Sequence, residues 1–108
     1  QILTGIRYNI NKEPAPSEFD MAQNAPNPFN TSTSIKYKIS SPSSATLQVF
    51  NVKGEILWTE TADHDRAGKY SFEVNPRNWA RGVYFYKIIW QGPEGVKISK
   101  ARKMIYIP

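Results

Sequence analysis

The chain has no cysteine and one histidine, and these two shortages exclude much chemistry. Without cysteine there is no disulfide framework and no thiolate site. This absence fits a reducing cellular compartment and equally an export route that does not rely on disulfides. The histidine, His64, stands between Asp63 and Asp65 in a segment that we expect to be a solvated loop, and a metal site there needs further ligands from elsewhere. Serines are plentiful, but no nucleophile elbow accompanies them. We therefore expect no enzyme, no metal and no cofactor.

Long apolar runs and helical patterns are also missing. The apolar runs span only a few residues, far below the roughly 20 that a membrane helix needs. No helix of ten residues can be drawn, so no helix N-terminus is offered to a phosphate. Gln1 opens the chain without a basic segment followed by an apolar one, which predicts no signal peptide and a fragment of a longer protein.

The charge balance is mildly basic, with a net charge of +5. This favours polyanions such as nucleic acid, anionic lipid or acidic polysaccharide, but the chain lacks a recognition helix and the paired aromatics of single-strand readers. We expect no nucleic-acid partner. The last 14 residues hold four cations and no acid, which indicates either a charge-guarded edge strand or a recognition surface. These cations are Lys97, Lys100, Arg102 and Lys103.

Two regions follow from composition. Residues 2–10 hold a short β-prone run, and residues 11–17 (NKEPAPS) are polar with two prolines, as in linkers at domain boundaries. We interpret residues 1–18 as a linker or the tail of an upstream module, and residues 19–108 as one β-sandwich domain. The alternative is that residues 2–10 form an extra edge strand of that domain.

Period-two alternation predicts strands over residues 35–39, 45–52, 55–62, 69–75, 83–91 and 96–107. Gly54 predicts a tight reversal that makes the second and third strands a hairpin. Residues 83–91 are apolar at nearly every position, which is typical of a central strand packed on both faces. The last run changes phase near residues 100–102, which predicts a bulge. We expect it to bury Val96, Ile98, Met104, Ile105 and Ile107.

Six or seven short strands with Gly, Pro and Asn between them predict an all-β fold, an immunoglobulin-like antiparallel β-sandwich of about seven strands. A barrel is the alternative. Tyr70 and Tyr84 each follow a glycine by two residues, where a tyrosine hydroxyl can reach back to loop backbone as in a tyrosine corner. Two ordinary core tyrosines would give the same pattern.

One stretch, residues 23–30 (QNAPNPFN), permits no regular element. Pro26 and Pro28 fix their own φ angles and donate no ladder bonds, so we expect a stiff, extended corner. We expect Phe29 to anchor this corner in the core, and the asparagine side chains to bond nearby backbone groups.

The run from Glu18 to Ile39 (EFDMAQNAPNPFNTSTSIKYKI) resembles the start of the type A C-terminal sorting domain of the type IX secretion system. The resemblance resumes at NVKGE, at AGKY, at ARGVYFYK and at RKMI, in the family's order and rough spacing, and so covers about residues 18–108. Ala25 replaces a usual tyrosine and Thr31 a frequent proline. Both departures weaken the aromatic packing and stiffness of the corner.

The resemblance implies a non-enzymatic C-terminal module that directs an upstream cargo in the same chain through the type IX outer-membrane translocon, to the cell surface or outside. It also implies recognition by a sortase-like attachment machinery that commonly removes the domain. The residues that it implies for sorting are Pro26, Asn27, Pro28, Phe29, Gly68, Tyr70, Gly82, Val83, Tyr84, Lys103, Met104 and Ile105. We add the neighbouring cations Lys100 and Arg102 as candidate recognition residues.

Two other functions remain open. A carbohydrate-binding or adhesive sandwich would use exposed aromatic residues as platforms for sugar rings, and its candidates here are Trp58, Trp79 and Trp90. We expect Trp58 in the core and Trp79 partly exposed. The other function is that of a passive immunoglobulin-like spacer, related in shape to a domain of flagellar hook capping proteins.

Overall fold

The computed structural model describes residues 19–108, and the predictions for residues 1–18 lie outside them. The described residues form strands, turns and loops without a helix. The strands are β1 (Asp20–Met21), β2 (Thr33–Ile39), β3 (Ser43–Phe50), β4 (Ile56–His64), β5 (Gly68–Val74), β6 (Gly82–Gly92), β7 (Gly95–Ile98) and β8 (Arg102–Tyr106).

The strands form two antiparallel sheets. One sheet has three strands in the order β1-β2-β5. The other has five, in which β3 lies between β4 and β6, while β7 and β8 share the second edge of β6. The predicted immunoglobulin-like antiparallel sandwich is confirmed.

The core lies between the sheets and follows the alternation in the sequence. Ile35, Tyr37 and Ile39 of β2 are buried, as are Phe72 and Val74 of β5, and these predictions are confirmed. Their neighbours along each strand face outward, because successive side chains of a strand point to opposite faces. The other sheet buries Ala45, Leu47, Val49, Tyr84, Tyr86, Ile88, Trp90, Met104 and Tyr106.

The predicted hairpin joins β3 to β4. Asn51 stabilises its turn, since its Oδ1 accepts hydrogen bonds from the N–H groups of Lys53 at 2.9 Å and Glu55 at 3.0 Å. Gly54 has a φ of +85°, which glycine adopts without strain. β3 ends at Phe50, and Val52 is 72% exposed in the turn. The prediction that the strand reaches Val52 was therefore wrong.

β6 is central in its sheet, as predicted, because β3 pairs with one edge and β7 and β8 with the other. Its even-numbered residues from Tyr84 to Trp90 are buried. The odd-numbered residues face away from the other sheet and are half-buried or exposed, with Val83 at 36%. The prediction that both faces of this strand are packed was wrong, since no second layer covers the outer face within residues 19–108.

The last run divides into β7 and β8, which confirms the predicted irregularity. Ser99 fills the break: its N–H donates to the Ile88 carbonyl at 2.9 Å, and its Oγ accepts from the Ile88 N–H at 3.0 Å. The shift in phase turns Met104 inward and leaves Val96 56% and Ile98 60% exposed. Of the five apolar residues predicted to be buried in this run, Met104 is buried, and the prediction was wrong for the other four, since Ile105 is half-buried and Ile107 is exposed.

His64 belongs to a strand and not to a solvated loop, because β4 continues to His64 where we predicted an end at Ala62. The His64 ring stacks on Tyr70 with centroids 3.5 Å apart, and its Nε2 is hydrogen-bonded to the Tyr37 hydroxyl at 2.6 Å. This contact joins the two sheets. Burial, followed by the nearby Tyr70 and Glu60, raises the pKa of Tyr37 to about 12.

Candidate functional site

Most of the residues that the resemblance implies for sorting lie together at one end of the sandwich. They come from three segments: residues 26–29 of the corner, the start of β6 (residues 82–84) and the end of β8 (residues 103–105). β8 pairs with β6 so that Val83 lies opposite Ile105 and Tyr84 opposite Met104. We call these three segments the terminal surface.

Hydrogen bonds fix the corner to the outer edge of β8. The Phe29 N–H donates to the Ile105 carbonyl at 3.0 Å, and the Ile107 N–H donates to the Phe29 carbonyl at 2.8 Å. Between them, the Ile105 N–H donates to Asn27 Oδ1 at 2.9 Å. The side chain of Asn27 thus occupies a position that a neighbouring strand would otherwise fill.

Phe29 anchors the corner as predicted. Its side chain is 3% exposed and packs against Tyr106, with ring centroids 5.2 Å apart. Pro26, Asn27 and Pro28 are exposed. The apolar anchor therefore holds an outward-facing prolyl and amide surface in place.

The first two residues of the corner, Gln23 and Asn24, were not among the predicted site residues. Asn24 is 2% exposed, and its N–H donates to the hydroxyl of the buried Tyr86 at 2.8 Å. The Asn24 Nδ2 donates to the Pro26 carbonyl at 3.1 Å, so it fixes the entry to the corner. Gln23 Nε2 donates to the Lys103 carbonyl at 2.7 Å. Their signal in the sequence is a pair of amides directly before the prolines, which can supply the donors that proline lacks.

Tyr70 and Tyr84 both form the hydrogen bond of a tyrosine corner, which is one of the two interpretations that the sequence allowed. The Tyr84 hydroxyl donates to the Ala80 carbonyl at 2.5 Å, and the Tyr70 hydroxyl donates to the Arg66 carbonyl at 2.8 Å. Burial raises the pKa of Tyr84 above its usual value of 10.0. The Tyr84 bond holds the loop that leads into β6 and so positions Val83 on the terminal surface.

Gly68 and Tyr70 do not join the terminal surface. They pair with Ile39 and Tyr37 at the end of β2 where that strand turns into β3, which is the opposite end of the sandwich. Around Tyr70 lie His64 and Tyr37, which connect the two sheets. Gly68 and Tyr70 therefore contribute to the packing between the sheets and not to the terminal surface.

The three cations among the candidate recognition residues have different environments, although all are exposed. Lys100 lies in the break between β7 and β8, and Lys103 lies on β8 opposite Phe85. Arg102 Nε donates to the Met21 carbonyl at 3.1 Å, so this side chain connects β8 to β1. Arg102 therefore has a structural contact in addition to its charge.

The three tryptophans pack on the core to different extents. Trp90 is 4% exposed beside Phe19. Trp58 is half-buried against the core and not within it, and Trp79 is partly exposed as predicted. Trp79 meets Trp58 edge-on at 6.3 Å and packs on Tyr84 at 4.9 Å. The aromatic faces of Trp79 are therefore directed partly toward protein.

Residues 19–108 hold no group of three or more side chains suited to a metal ion. No helix long and apolar enough to cross a membrane occurs in this described part of the chain.

Comparison with known proteins assigns the family. The model of the secretion system C-terminal sorting domain matches residues 25–105. No curated protein matches the chain. The crystal structure of dimeric latent PorU from Porphyromonas gingivalis is similar to the chain at 17% identity with a TM-score of 0.71; the match covers 91% of this chain and 10% of PorU. The chain thus spans about a tenth of that protein, and the likeness concerns the fold. With most of its residues matched by the family model, the chain belongs to the family of secretion system C-terminal sorting domains, the export signals of the type IX system.

Proposed function

We propose that the terminal surface is the part of this sorting domain that the type IX machinery recognises. One observation supports this proposal above the others. A hydrogen bond between Asn27 and Ile105, which lie 78 positions apart in the sequence, joins the corner and β8 into one surface. The prolines and Lys103 are exposed on it. A binding partner would meet this combination only on the folded domain.

In this proposal the domain carries an upstream cargo of the same chain through the outer-membrane translocon to the cell surface or outside. A sortase-like attachment machinery then separates cargo from domain. The domain itself performs no catalysis: the terminal surface offers prolyl, amide, apolar and lysine groups, and none of these is a nucleophile beside a base.

We further propose that the domain spans residues 19–108 and that residues 1–18 are the linker or the tail of the cargo module. Limited proteolysis tests this boundary. Because residues 11–17 are polar and contain two prolines, the first cuts are expected there. Earlier cuts at residues 65–67, with residues 11–17 protected, would contradict the boundary.

The carbohydrate-binding alternative gains no support from the aromatic residues. A platform for sugar rings needs an exposed ring face, whereas Trp90 is buried and Trp79 packs on Tyr84 and Trp58.

Two matched pairs of substitutions on the outer face of the five-stranded sheet test the terminal surface. Val83→Thr with Ile105→Thr alters the apolar part of that surface, while Val96→Thr with Ile98→Thr alters exposed apolar residues outside it. Each variant is fused behind a secreted reporter in a host with a type IX system. We expect the first pair to reduce surface delivery several-fold and the second pair to leave it unchanged. The two double variants should have the same melting temperature, so that a difference in delivery does not reflect a difference in stability. Equal delivery by both pairs would overturn the proposal.

A further inference from the structure

The outer edge of β4 is the longest sheet edge without a strand partner in residues 19–108. β4 has nine residues, and within residues 19–108 it pairs with β3 alone. Its side chains are mostly exposed, including Ile56 at 56% and Leu57 at 40%. A long exposed edge presents a row of backbone donors and acceptors that invites pairing with another chain.

The other sheet edges in the described residues are shorter than that of β4, and apart from the two-residue β1 each is either covered or carries a lysine. β1 has two residues and β7 has four, with Lys97 among them. The corner covers β8 through its bonds to Ile105 and Ile107. β5 carries Lys69. Such features are the ones by which proteins prevent edge pairing, and β4 contains no proline, lysine or glycine; its one bulge, at Leu57, lies near the start of the strand and leaves residues 58–64 in regular register with β3.

The register shows which residues of β4 direct their backbone groups outward. Ile88 uses both its N–H and its C=O for Ser99, so these groups point away from β3. Directly opposite residues of an antiparallel pair alternate between bonded and non-bonded pairs. Leu47, opposite Ile88, therefore directs its groups to β4, where it faces Glu60. By the same alternation, Thr59, Thr61 and Asp63 direct their N–H and C=O groups to the open edge.

The open edge of β4 is acidic in a basic protein. The chain has nine acidic residues against 14 basic ones. Glu60 and Asp63 lie on β4, which contains no lysine or arginine, and Glu55 and Asp65 flank it, with Asp65 Oδ1 3.9 Å from Nε of the following Arg66. All four are exposed. An extended partner with basic side chains would match this charge.

We propose that the outer edge of β4 binds an extended, lysine- or arginine-bearing segment of another protein by β-strand addition. In this mode backbone hydrogen bonds supply affinity and alternate side chains supply specificity. The site lies on the opposite edge of the five-stranded sheet from β7 and β8, so it is a second interaction surface and does not depend on the terminal surface.

A designed peptide tests the proposal. It has the length of β4, alternates lysine with threonine and valine, and is titrated into the isolated chain with amide hydrogen exchange as readout. We expect the N–H groups of Thr59, Thr61 and Asp63 to become protected. Thr61→Pro removes one outward donor, and proline is tolerated on an edge in this position, so binding should weaken about tenfold or more. Thr61→Val retains the donor and should bind as the unmodified chain does.

Two further peptides separate strand addition from simple charge attraction. A version methylated at alternate backbone nitrogens keeps its charge but cannot pair, and it should not bind. A version with glutamate in place of lysine should bind far more weakly. The proposal is overturned if the lysine peptide does not bind, if the methylated peptide binds equally well, or if Thr61→Pro changes nothing while its thermal unfolding matches that of Thr61→Val.

Discussion

Asn27 and Ile105 are joined by a hydrogen bond of 2.9 Å in which the Asn27 side-chain oxygen accepts from the Ile105 backbone N–H. Ile105 lies in the last strand, and the bond crosses 78 positions of the sequence. An asparagine amide here takes the place of a neighbouring strand's carbonyl. The exposed corner is thereby held in a fixed position relative to the C-terminal strand.

Removing this bond should affect delivery more than stability. Asn27→Ala leaves the Ile105 N–H to water at an exposed edge, so we expect a loss of about 1 kcal/mol in the free energy of unfolding. Surface delivery of a fused reporter should fall several-fold, because the corner loses its fixed position. Asn30→Ala is the matched control, since the one side-chain hydrogen bond of Asn30 within residues 19–108 is accepted from the neighbouring Thr31 hydroxyl. The measurements are thermal unfolding and reporter delivery of both variants. Equal delivery by the two variants would contradict the role of Asn27.

The two tyrosine corners provide a comparison between the ends of the sandwich. Tyr84→Phe and Tyr70→Phe each remove one hydroxyl that donates to a backbone carbonyl, and each should lower the free energy of unfolding by about 1 kcal/mol. We expect Tyr84→Phe alone to reduce delivery, because its bond positions the start of β6. If both variants reduced delivery equally, overall stability and not the terminal surface would govern export.

The sandwich should lose stability at alkaline pH. The pKa of Tyr37 is raised to about 12, and burial also raises the pKa values of Tyr84 and Tyr86, while unfolded tyrosine has a pKa near 10.0. A raised pKa in the folded state favours the neutral phenol, so this contribution is complete below pH 10 and is lost as pH rises toward 12. Urea midpoints should be constant up to about pH 10 and then fall, less steeply in Tyr37→Phe. Midpoints independent of pH over that interval would contradict this assignment.

The sequence predicted most of this fold because its strands are patterned on one face. Ile35, Tyr37 and Ile39 alternate with polar residues, so both the strand and its buried face could be read directly. The prediction for β6 failed because the outer face of this strand is apolar although no second layer of residues 19–108 covers it. Composition alone does not distinguish a buried face from a half-exposed one. The burial of Val96 and Ile98 failed for a related reason: a break filled by Ser99 shifts the phase of the last run.

The terminal surface was predictable as segments but not as one site. The corner and β8 each matched a family motif, yet only the structure shows that Asn27 and Ile105 meet. Side-chain amides that replace strand bonds, such as those of Gln23 and Asn27, leave no periodic pattern, since each depends on a partner far away in the sequence. The prediction that His64 lies in a solvated loop failed because its hydrogen-bond partner, Tyr37, lies in the other sheet and far away in the sequence.

The cations near the C-terminus require separate tests, because Arg102 donates to the Met21 carbonyl whereas Lys100 and Lys103 are exposed without such a contact to β1. Neutralising all three would combine a charge effect with the loss of a structural bond. Arg102→Gln by itself should lower the free energy of unfolding by about 1 kcal/mol.

Lys100→Gln with Lys103→Gln isolates the charge. Exposed substitutions of this kind usually change stability by no more than about 0.5 kcal/mol, so the melting temperature should be nearly unchanged. If these lysines contribute to recognition, delivery of a fused reporter falls sharply, whereas Lys36→Gln with Lys38→Gln, which removes the same charge from the outer face of β2, leaves it intact. We expect this difference, because Lys103 belongs to the terminal surface and β2 does not. Full delivery by the first pair, with the fold preserved, would mean that these lysines only protect the edge of the last strand from aggregation.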